Sequence, residues 1–289
     1  MAKFKLSAFS DEYAKELDSQ IEGLVKNKVR MTELRGVDGI NVSDLTPMQA
    51  MNVKSKLDAF GIGVSAIGSP IGKIQITDPL EPHLDKLKQT CETAEILGTH
   101  RIRMFSFYIP EGKHEQYRDE VLERMGKMLD VADEYGVQLC HENEKGIYGD
   151  VAERCLDLLK HTGGRLGCVF DPANFIQSGC EPFPHAYQML SPYITYMHIK
   201  DALRNGTVVV PGSGAGCLPE LLAMLHKENA GEIILTVEPH LRVFAGLEAL
   251  ENGTENHSTI ASTFATAEEA FGTAITWTKY CLPRTATVL

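Results

Sequence analysis

Short apolar, β-branched runs alternate along the chain with longer segments whose apolar positions recur every three or four residues. The short runs are Lys3–Ala8, Arg30–Leu34, Gly63–Ile67, Arg101–Phe105, Val137–His141, Leu166–Phe170, Ile194–Ile199 and Ile233–Val237. They predict eight strands. Helices are predicted near 12–27, 47–60, 80–97, 114–135, 150–161, 184–190, 217–229 and 262–280. Thr46-Pro47 puts a hydroxyl at an N-cap and proline at the first helical position. Gly61, Gly98 and Gly136 each stand between a helical segment and the next strand, where a helix stop is needed. Eight successive βα units predict an α/β protein whose sheet closes into a (β/α)8 TIM barrel. No Pro/Ser/Gly-rich tract divides the chain, so a single domain over residues 1–289 is expected, with Pro283–Leu289 as a surface extension. Met48, Met51, Met125 and Met128 are expected to pack, and Phe271 and Trp277 to cover the barrel wall.

Composition narrows the picture. A chain of 289 residues suits one barrel of roughly 250 residues with insertions. Its 43% hydrophobic and 23% charged residues exclude a disordered or collagen-like chain. Lys and Arg number 28 against 39 Asp and Glu, for a net charge of −11. That charge repels phosphate backbones, so no nucleic-acid partner is expected. No apolar run approaches the ~18 residues of a membrane helix, so no membrane partner is expected either. Met1–Ser10 reads as a first strand rather than a signal peptide. Seven cysteines, without a Cys-x-x-Cys pair, point to reduced thiols and a cytoplasmic location.

Active sites of (β/α)8 enzymes lie at the C-terminal ends of the strands. The fifth predicted strand runs into Glu142, the sixth into Asp171 and the eighth into Glu238, while the seventh carries His198 near its end. The spacings of 29, 27 and 40 residues are each about one βα unit. Side chains alternate between the faces of a strand, so Val169 and Asp171 share a face, as do Tyr196 with His198 and Thr236 with Glu238. Each candidate is able to face the barrel axis. Three carboxylates on one rim repel one another unless a cation neutralises them. Three oxygen ligands with one imidazole suit a divalent ion, with Mn²⁺ favoured and Mg²⁺, Co²⁺ or Zn²⁺ as alternatives. Any one of these residues has an ordinary alternative role. Asp171 before Pro172 is placed to cap a turn, and a strand histidine is commonly a hydrogen-bonded core residue.

Other polar residues fall near the same rim. Arg103 and Ser106 end the fourth strand and Lys73 follows the third, all placed to meet substrate hydroxyls or a phosphate. Lys200 follows His198 directly enough to reach a carbonyl or phosphate oxygen. Pro211-Gly212-Ser213-Gly214-Ala215-Gly216 is a glycine-rich stretch before a helix, able to bind phosphate through backbone N–H groups.

The motifs His141-Glu142-Asn143-Glu144-Lys145-Gly146, Asp171-Pro172-Ala173-Asn174, His198-Ile199-Lys200-Asp201 and Glu238-Pro239-His240 resemble the xylose-isomerase-like sugar (phosphate) isomerase/epimerase superfamily. Glu33-Leu34-Arg35 and Ser69-Pro70-Ile71-Gly72-Lys73 add to the resemblance, which covers nearly the whole chain. The superfamily includes ketose 3-epimerases, hydroxypyruvate isomerase, inosose dehydratase and the endonuclease IV branch. The resemblance implies that Glu142, Asp171, His198 and Glu238 are metal ligands and that Glu142 and Glu238 form the catalytic acid/base pair. It puts Asn174 where the ketose epimerases carry a substrate-binding histidine and Arg204 where they carry a substrate-binding arginine; Lys200 and Arg103 are further substrate contacts. The implied activity is metal-dependent isomerisation or epimerisation of a sugar or sugar phosphate through an enediolate. The implied partner is a small polyhydroxy carbonyl substrate, and a homo-oligomer is compatible with the family. An inosose-dehydratase-type lyase is the alternative. Abasic-site DNA cleavage ranks low, because that branch uses three metals and a basic groove.

Overall fold

A computed structural model describes residues 1–244 and 264–289. Eight parallel strands close into a barrel, each bonded to its neighbours in chain order and the last returning to the first. They are β1 Ala2–Ala8, β2 Met31–Leu34, β3 Gly63–Gly68, β4 Arg101–Met104, β5 Gln138–Glu142, β6 Gly167–Phe170, β7 Ile194–Ile199 and β8 Gly231–Val237. Helices α1 Leu17–Lys26, α2 Pro47–Ala59, α3 Glu81–Leu97, α4 His114–Glu134, α5 Ala152–His161, α6 Pro172–Gln177, α7 Tyr187–Leu190, α8 Leu218–Glu228 and α9 Ala267–Cys281 occupy the connections. This is the TIM barrel that the alternation predicts.

The strands are buried on both faces, as the barrel requires. Their outer faces and the helices form one large apolar cluster that includes Phe4, Leu6, Ile102, Leu139, Phe170, Met197 and Leu235. A smaller cluster joins Ala66, Cys140, Val169, Tyr196 and Ile234, with Met31 packed against it. These residues lie two or four positions before Gly68, Glu142, Asp171, His198, Glu238 and Glu33 in their own strands. Period-2 alternation therefore makes this cluster the interior layer on which the rim residues stand.

Local signals explain several boundaries. Thr46 accepts the Gln49 N–H while Gln49 Oε1 accepts the Thr46 N–H, a reciprocal cap on α2. Gly98 closes α3 in the left-handed region at φ 75°. The predicted helix 12–27 is shorter than its periodicity implies. A single tight turn, Ser10–Glu12, comes first, and α1 starts at Leu17. Asp11 and Glu12 in that turn are bonded to Arg35, which holds the segment to β2. A short helix absent from the prediction, α6, follows β6 because Asp171 caps it and Pro172 opens it.

Two packing expectations change, while the tail is a mostly exposed surface extension as expected and is in addition hydrogen-bonded to β1. Met125 and Met128 are buried, but Met48 and Met51 lie on the exposed face of α2. On α9, Phe271 is buried whereas Trp277 is half exposed against Tyr280. The tail is bonded into the barrel: Phe4 N–H donates to Thr287 O at 2.9 Å, and Leu289 N–H to Phe4 O at 2.9 Å. It covers the stretch of β1 that β2, paired only at Ser7 and Ala8, leaves open. Residues 262 and 263 of the predicted last helix fall outside the described residues.

The loop after β3 is held with little room. Ile71 O and Gly72 O accept the N–H groups of Phe105 and Phe107, and Gly72 N–H donates to His83 Nε2 at 2.7 Å. Gly72 has φ 88°, and a Cβ there would collide with the Phe105 carbonyl. Gly72→Ala should therefore cost at least about 2 kcal/mol, through left-handed strain and the clash together. Urea denaturation checks this; a variant within experimental error of the wild type would show that the loop yields freely.

Candidate active site

At the C-terminal mouth of the barrel, β5 delivers Glu142, the β6–α6 junction delivers Asp171, β7 delivers His198, and the residue after β8 is Glu238. All four side chains are buried. One oxygen or nitrogen from each lies within 4.8 Å of all the others. The closing contacts run through His198. Its Nδ1 is 2.9 Å from Glu142 Oε1 and 3.9 Å from Glu238 Oε2. Its Nε2 is 3.0 Å from Glu33 Oε2, and the Tyr196 hydroxyl donates to the other Glu33 oxygen at 3.0 Å.

Cations thread between these carboxylates. Lys200 Nζ donates to Glu238 Oε2 at 2.7 Å and lies 3.1 Å from Asp171 Oδ2. Arg103 Nε lies 3.3 Å from Glu142 Oε2. Arg35 donates through Nη1 to Glu238 Oε1 at 3.0 Å, through Nε and Nη2 to Asp11, and through Nη2 to Glu12. The Arg35 guanidinium carbon lies 4.3 Å from the centre of the Phe9 ring and 4.9 Å from that of Phe244. His240, at φ 44°, donates its backbone N–H to Glu12 Oε2 at 2.6 Å. Its Nδ1 lies 3.0 Å from Glu12 Oε1 and 3.7 Å from Glu238 Oε1.

Amides position the remaining groups. Asn143 accepts the Asp171 N–H and donates to the Asp171 carbonyl, tying β5 to the β6 end. Asn174 Nδ2 donates to Glu142 Oε1 at 3.1 Å, and its own N–H donates to Asp171 Oδ1. Asp171 thus caps α6 and faces the cluster at once. Its other oxygen, Oδ2, is buried and accepts no hydrogen bond, with the Lys200 ammonium 3.1 Å away.

The charge balance shifts each proton equilibrium. Burial raises the Glu142 carboxyl, but His198 and Arg103 outweigh it and hold it at about 2. Burial also raises Glu238, and Lys200, His240, His198 and Arg35 pull it well below the usual range. Asp171 goes the other way, to about 6, because burial and the neighbouring carboxylates outweigh Lys200. Burial opposes a charged His198, yet Glu142 and Glu33 raise it to about 10. A donor set of three carboxylates and an imidazole, with one buried carboxylate oxygen lacking a hydrogen bond, fits a divalent cation.

Among the expected substrate contacts, Asn174, Lys200 and Arg103 are gathered around the four-residue cluster. Arg204 is apart from them, in the exposed turn of a hairpin joining Asp201–Ala202 to Val208–Val209. Ser106 is fully buried and bonded to His141 and Gly149. Lys73 Nζ lies 2.8 Å from Glu144 and over the Phe105 ring. The glycine-rich stretch is not open to a phosphate: the N–H groups of Gly212, Gly214 and Gly216 all donate to Asp201. Sequence reasoning gave no role to Glu12 and Asp11, nor separate roles to Glu33, Arg35 and His240. Glu33 and Arg35 alternate with Met31 of the interior layer, so their parity was a usable signal; Asp11 and Glu12 carried none.

Comparison with known proteins assigns the class. The chain belongs to the family of xylose isomerase-like TIM barrels, whose model matches residues 29–262. The rhizopine catabolism protein MocC of Rhizobium meliloti is 25% identical over 264 residues, covering 80% of this chain and 81% of that protein. The fold matches the probable 3-DHS dehydratase AsbF of Bacillus anthracis, involved in petrobactin synthesis, with TM-score 0.72 and 16% identity over 94% of this chain and 97% of the other. It also matches D-psicose 3-epimerase of Clostridium cellulolyticum H10 in a structure with D-tagatose, with TM-score 0.69 and 15% identity over 96% and 99% of the two chains.

Arg35 touches three carboxylates in this network and is itself buried. Arg35→Met keeps much of the side-chain length and removes the charge. The loss should be about 3–5 kcal/mol, as for other buried pairs left with one partner. Chemical denaturation at neutral pH measures it; a loss below about 1 kcal/mol would mean that solvent or neighbouring cations replace the guanidinium.

Proposed function

We propose that the chain is a divalent-metal-dependent isomerase or epimerase of a sugar or sugar phosphate, working by proton transfer beside a carbonyl. The observation that carries this is the convergence of Glu142, Asp171, His198 and Glu238 within 4.8 Å at the barrel mouth. These four residues would hold the ion. When bound, a divalent ion supplies Lewis-acid polarisation of a carbonyl and its adjacent hydroxyl, which acidifies the C–H between them. Glu33 keeps the His198 ring oriented through Nε2, leaving Nδ1 as the nitrogen on the side of Glu142 and Glu238.

Glu142 and Glu238 act as the acid/base pair. They come from β5 and β8, three strands apart, so they approach a substrate from different sides. The cations around both keep them ionised at neutral pH, so one carboxylate takes the substrate proton and the other returns a proton drawn from solvent. Lys200, protonated and directly on Glu238, is placed to hold a substrate oxygen and stabilise the negative charge of an enediolate. Arg103 and Asn174 orient Glu142 and offer donors to hydroxyls. Arg204, on its exposed hairpin, contacts the outer end of the substrate.

A lyase of the dehydratase type shares the first step. The ammonium of Lys200, 2.7 Å from Glu238, is the specific feature that favours it, because a fixed cation there would hydrogen-bond a departing hydroxyl and stabilise its developing negative charge. Product mass separates the two: an isomerase or epimerase conserves it and a dehydratase loses water.

Glu238→Gln keeps the shape and removes the charge, so kcat should fall at least ~10²-fold. Turnover in D₂O should place deuterium on the carbon beside the carbonyl. Full retention of the original hydrogen with transfer between carbons would overturn the carboxylate mechanism.

Ion binding should depend on pH in a definite direction. His198 is protonated up to about pH 10 in the ion-free chain, against 6.5 when unperturbed. Its stabilising contacts as a cation are fully present below pH 6.5 and are lost as pH rises through about 10. To hold a divalent ion, His198 would have to give up that proton. Between pH 6 and 8, where Asp171 is also losing its proton, Mn²⁺ affinity should rise roughly tenfold per pH unit. Calorimetric titration in buffers of different ionisation enthalpy reads the proton released; a pH-independent affinity would count against His198 as a ligand.

A further inference from the structure

Glu238 divides its two oxygens between two sets of ligand atoms. Oε2 serves the four-residue cluster, 2.7 Å from Lys200 Nζ and 3.9 Å from His198 Nδ1. Oε1 serves another set, 3.0 Å from Arg35 Nη1 and 3.7 Å from His240 Nδ1. In that second set, ligand atoms of Glu12, Glu238 and His240 all lie within 4.8 Å of one another, and all three residues are buried. His240 Nδ1 is itself buried and makes no hydrogen bond, although Glu12 Oε1 is 3.0 Å away. Two carboxylates and an imidazole nitrogen held this close are a donor set for a divalent cation. A carboxylate shared between two such sets has the arrangement of a bridging group in a two-ion centre.

In this chain the second set already contains a cation. Arg35 donates through Nη1 to Glu238 Oε1 and through Nη2 to Glu12 Oε1 at 3.2 Å, the oxygens that an ion would take. Asp11 holds the same guanidinium through Nε and Nη2, and the Phe9 and Phe244 rings lie against it. Arginine stays charged at any physiological pH and offers only donors, so it balances Glu12 and Glu238 without chelating anything itself. A divalent ion entering this set would meet the guanidinium at close range, where like charges out of water repel strongly. We propose that Arg35 is a built-in substitute for a second metal ion: it fills the Glu12–Glu238–His240 set and restricts the centre to one divalent ion, on Glu142, Asp171, His198 and Glu238. This rests on the reading of those four residues as an ion site and sets the stoichiometry of that site. The second positive charge beside Glu238 is then fixed in the fold, and only the first is exchangeable.

Metal content after loading with Mn²⁺ and gel filtration tests it without any substrate. The wild type is expected to retain one ion per chain and Arg35→Ala two, with the second lost again when His240→Ala is added. Electron paramagnetic resonance of loaded Arg35→Ala should show two spin-coupled Mn²⁺ ions, because Glu238 bridges them. Mn²⁺ beyond one equivalent should leave the wild-type Tm unchanged and raise that of Arg35→Ala, whose second set is vacated. Two ions per wild-type chain, or a single ion in a folded Arg35→Ala, overturns the proposal. If Arg35→Ala does not fold, Arg35→Gln is measured in its place. If neither variant folds, the wild-type stoichiometry in excess Mn²⁺ decides, one ion upholding the proposal and two overturning it. A wild type that binds no ion would sink the four-residue site. In that case an Arg35→Ala chain that takes up one ion, lost with His240→Ala, would still support the role of Arg35, and one that takes up none would overturn it as well.

Discussion

Everything at the mouth of this barrel depends on neutralising carboxylates that have been taken out of water. Asp11, Glu12, Glu33, Glu142, Asp171 and Glu238 crowd one end of a closed sheet, and all but Asp11 are fully buried. An isolated buried carboxylate is costly enough that it would normally take up a proton. Arg35, Arg103, Lys200 and a protonated His198 prevent this for Glu142 and Glu238. Asp171, for which compensation is weakest, keeps a raised pKa. The arrangement is poor value as a stabilising device, because buried ion pairs often do no better than apolar packing. Its retention makes sense if the charges serve binding and chemistry.

The barrel supplies the rigidity that such a cluster needs. The interior layer of Ala66, Cys140, Val169, Tyr196 and Ile234 fills the space beneath the site, and each strand then presents its next inward residue to the mouth. Loops contribute through satisfied backbone groups rather than through slack. Gly72 locks the loop after β3 against Phe105, and Asp201 gathers the loop after β7 around one carboxylate. Asp171 caps α6 with one oxygen and keeps the other for the cluster. Helix formation and site geometry are thereby coupled through a single side chain.

Membership of the xylose isomerase-like family leaves the reaction open, since a fold carries chemistry only through its site. One solved relative of this fold is described as an epimerase and another as a probable dehydratase. Both reactions can begin by removing a proton beside a carbonyl. What separates them is where the next proton goes, and that depends on groups around the four-residue cluster. In this chain Lys200, Arg103, Asn174, Arg35, Glu33 and His240 all lie against that cluster.

The sequence by itself determined the eight-strand alternation, the closed barrel and the four residues Glu142, Asp171, His198 and Glu238. These are local properties: strand parity, helix stops such as Gly98, and caps such as Thr46 and Asp171 act over a few residues. Only the tertiary structure decided what those residues touch. Arg35 and Glu238 are 203 positions apart and His198 and Glu33 are 165 apart, and no periodicity links such pairs. The same limit explains why Met48 and Met51 face solvent despite helical spacing: helix period specifies a face, and the neighbours decide whether anything covers it. The glycine-rich stretch 211–216 shows it most directly. Its pattern announced a set of converging N–H donors, but which anion they hold depends on the hairpin that brings Asp201 back beneath them.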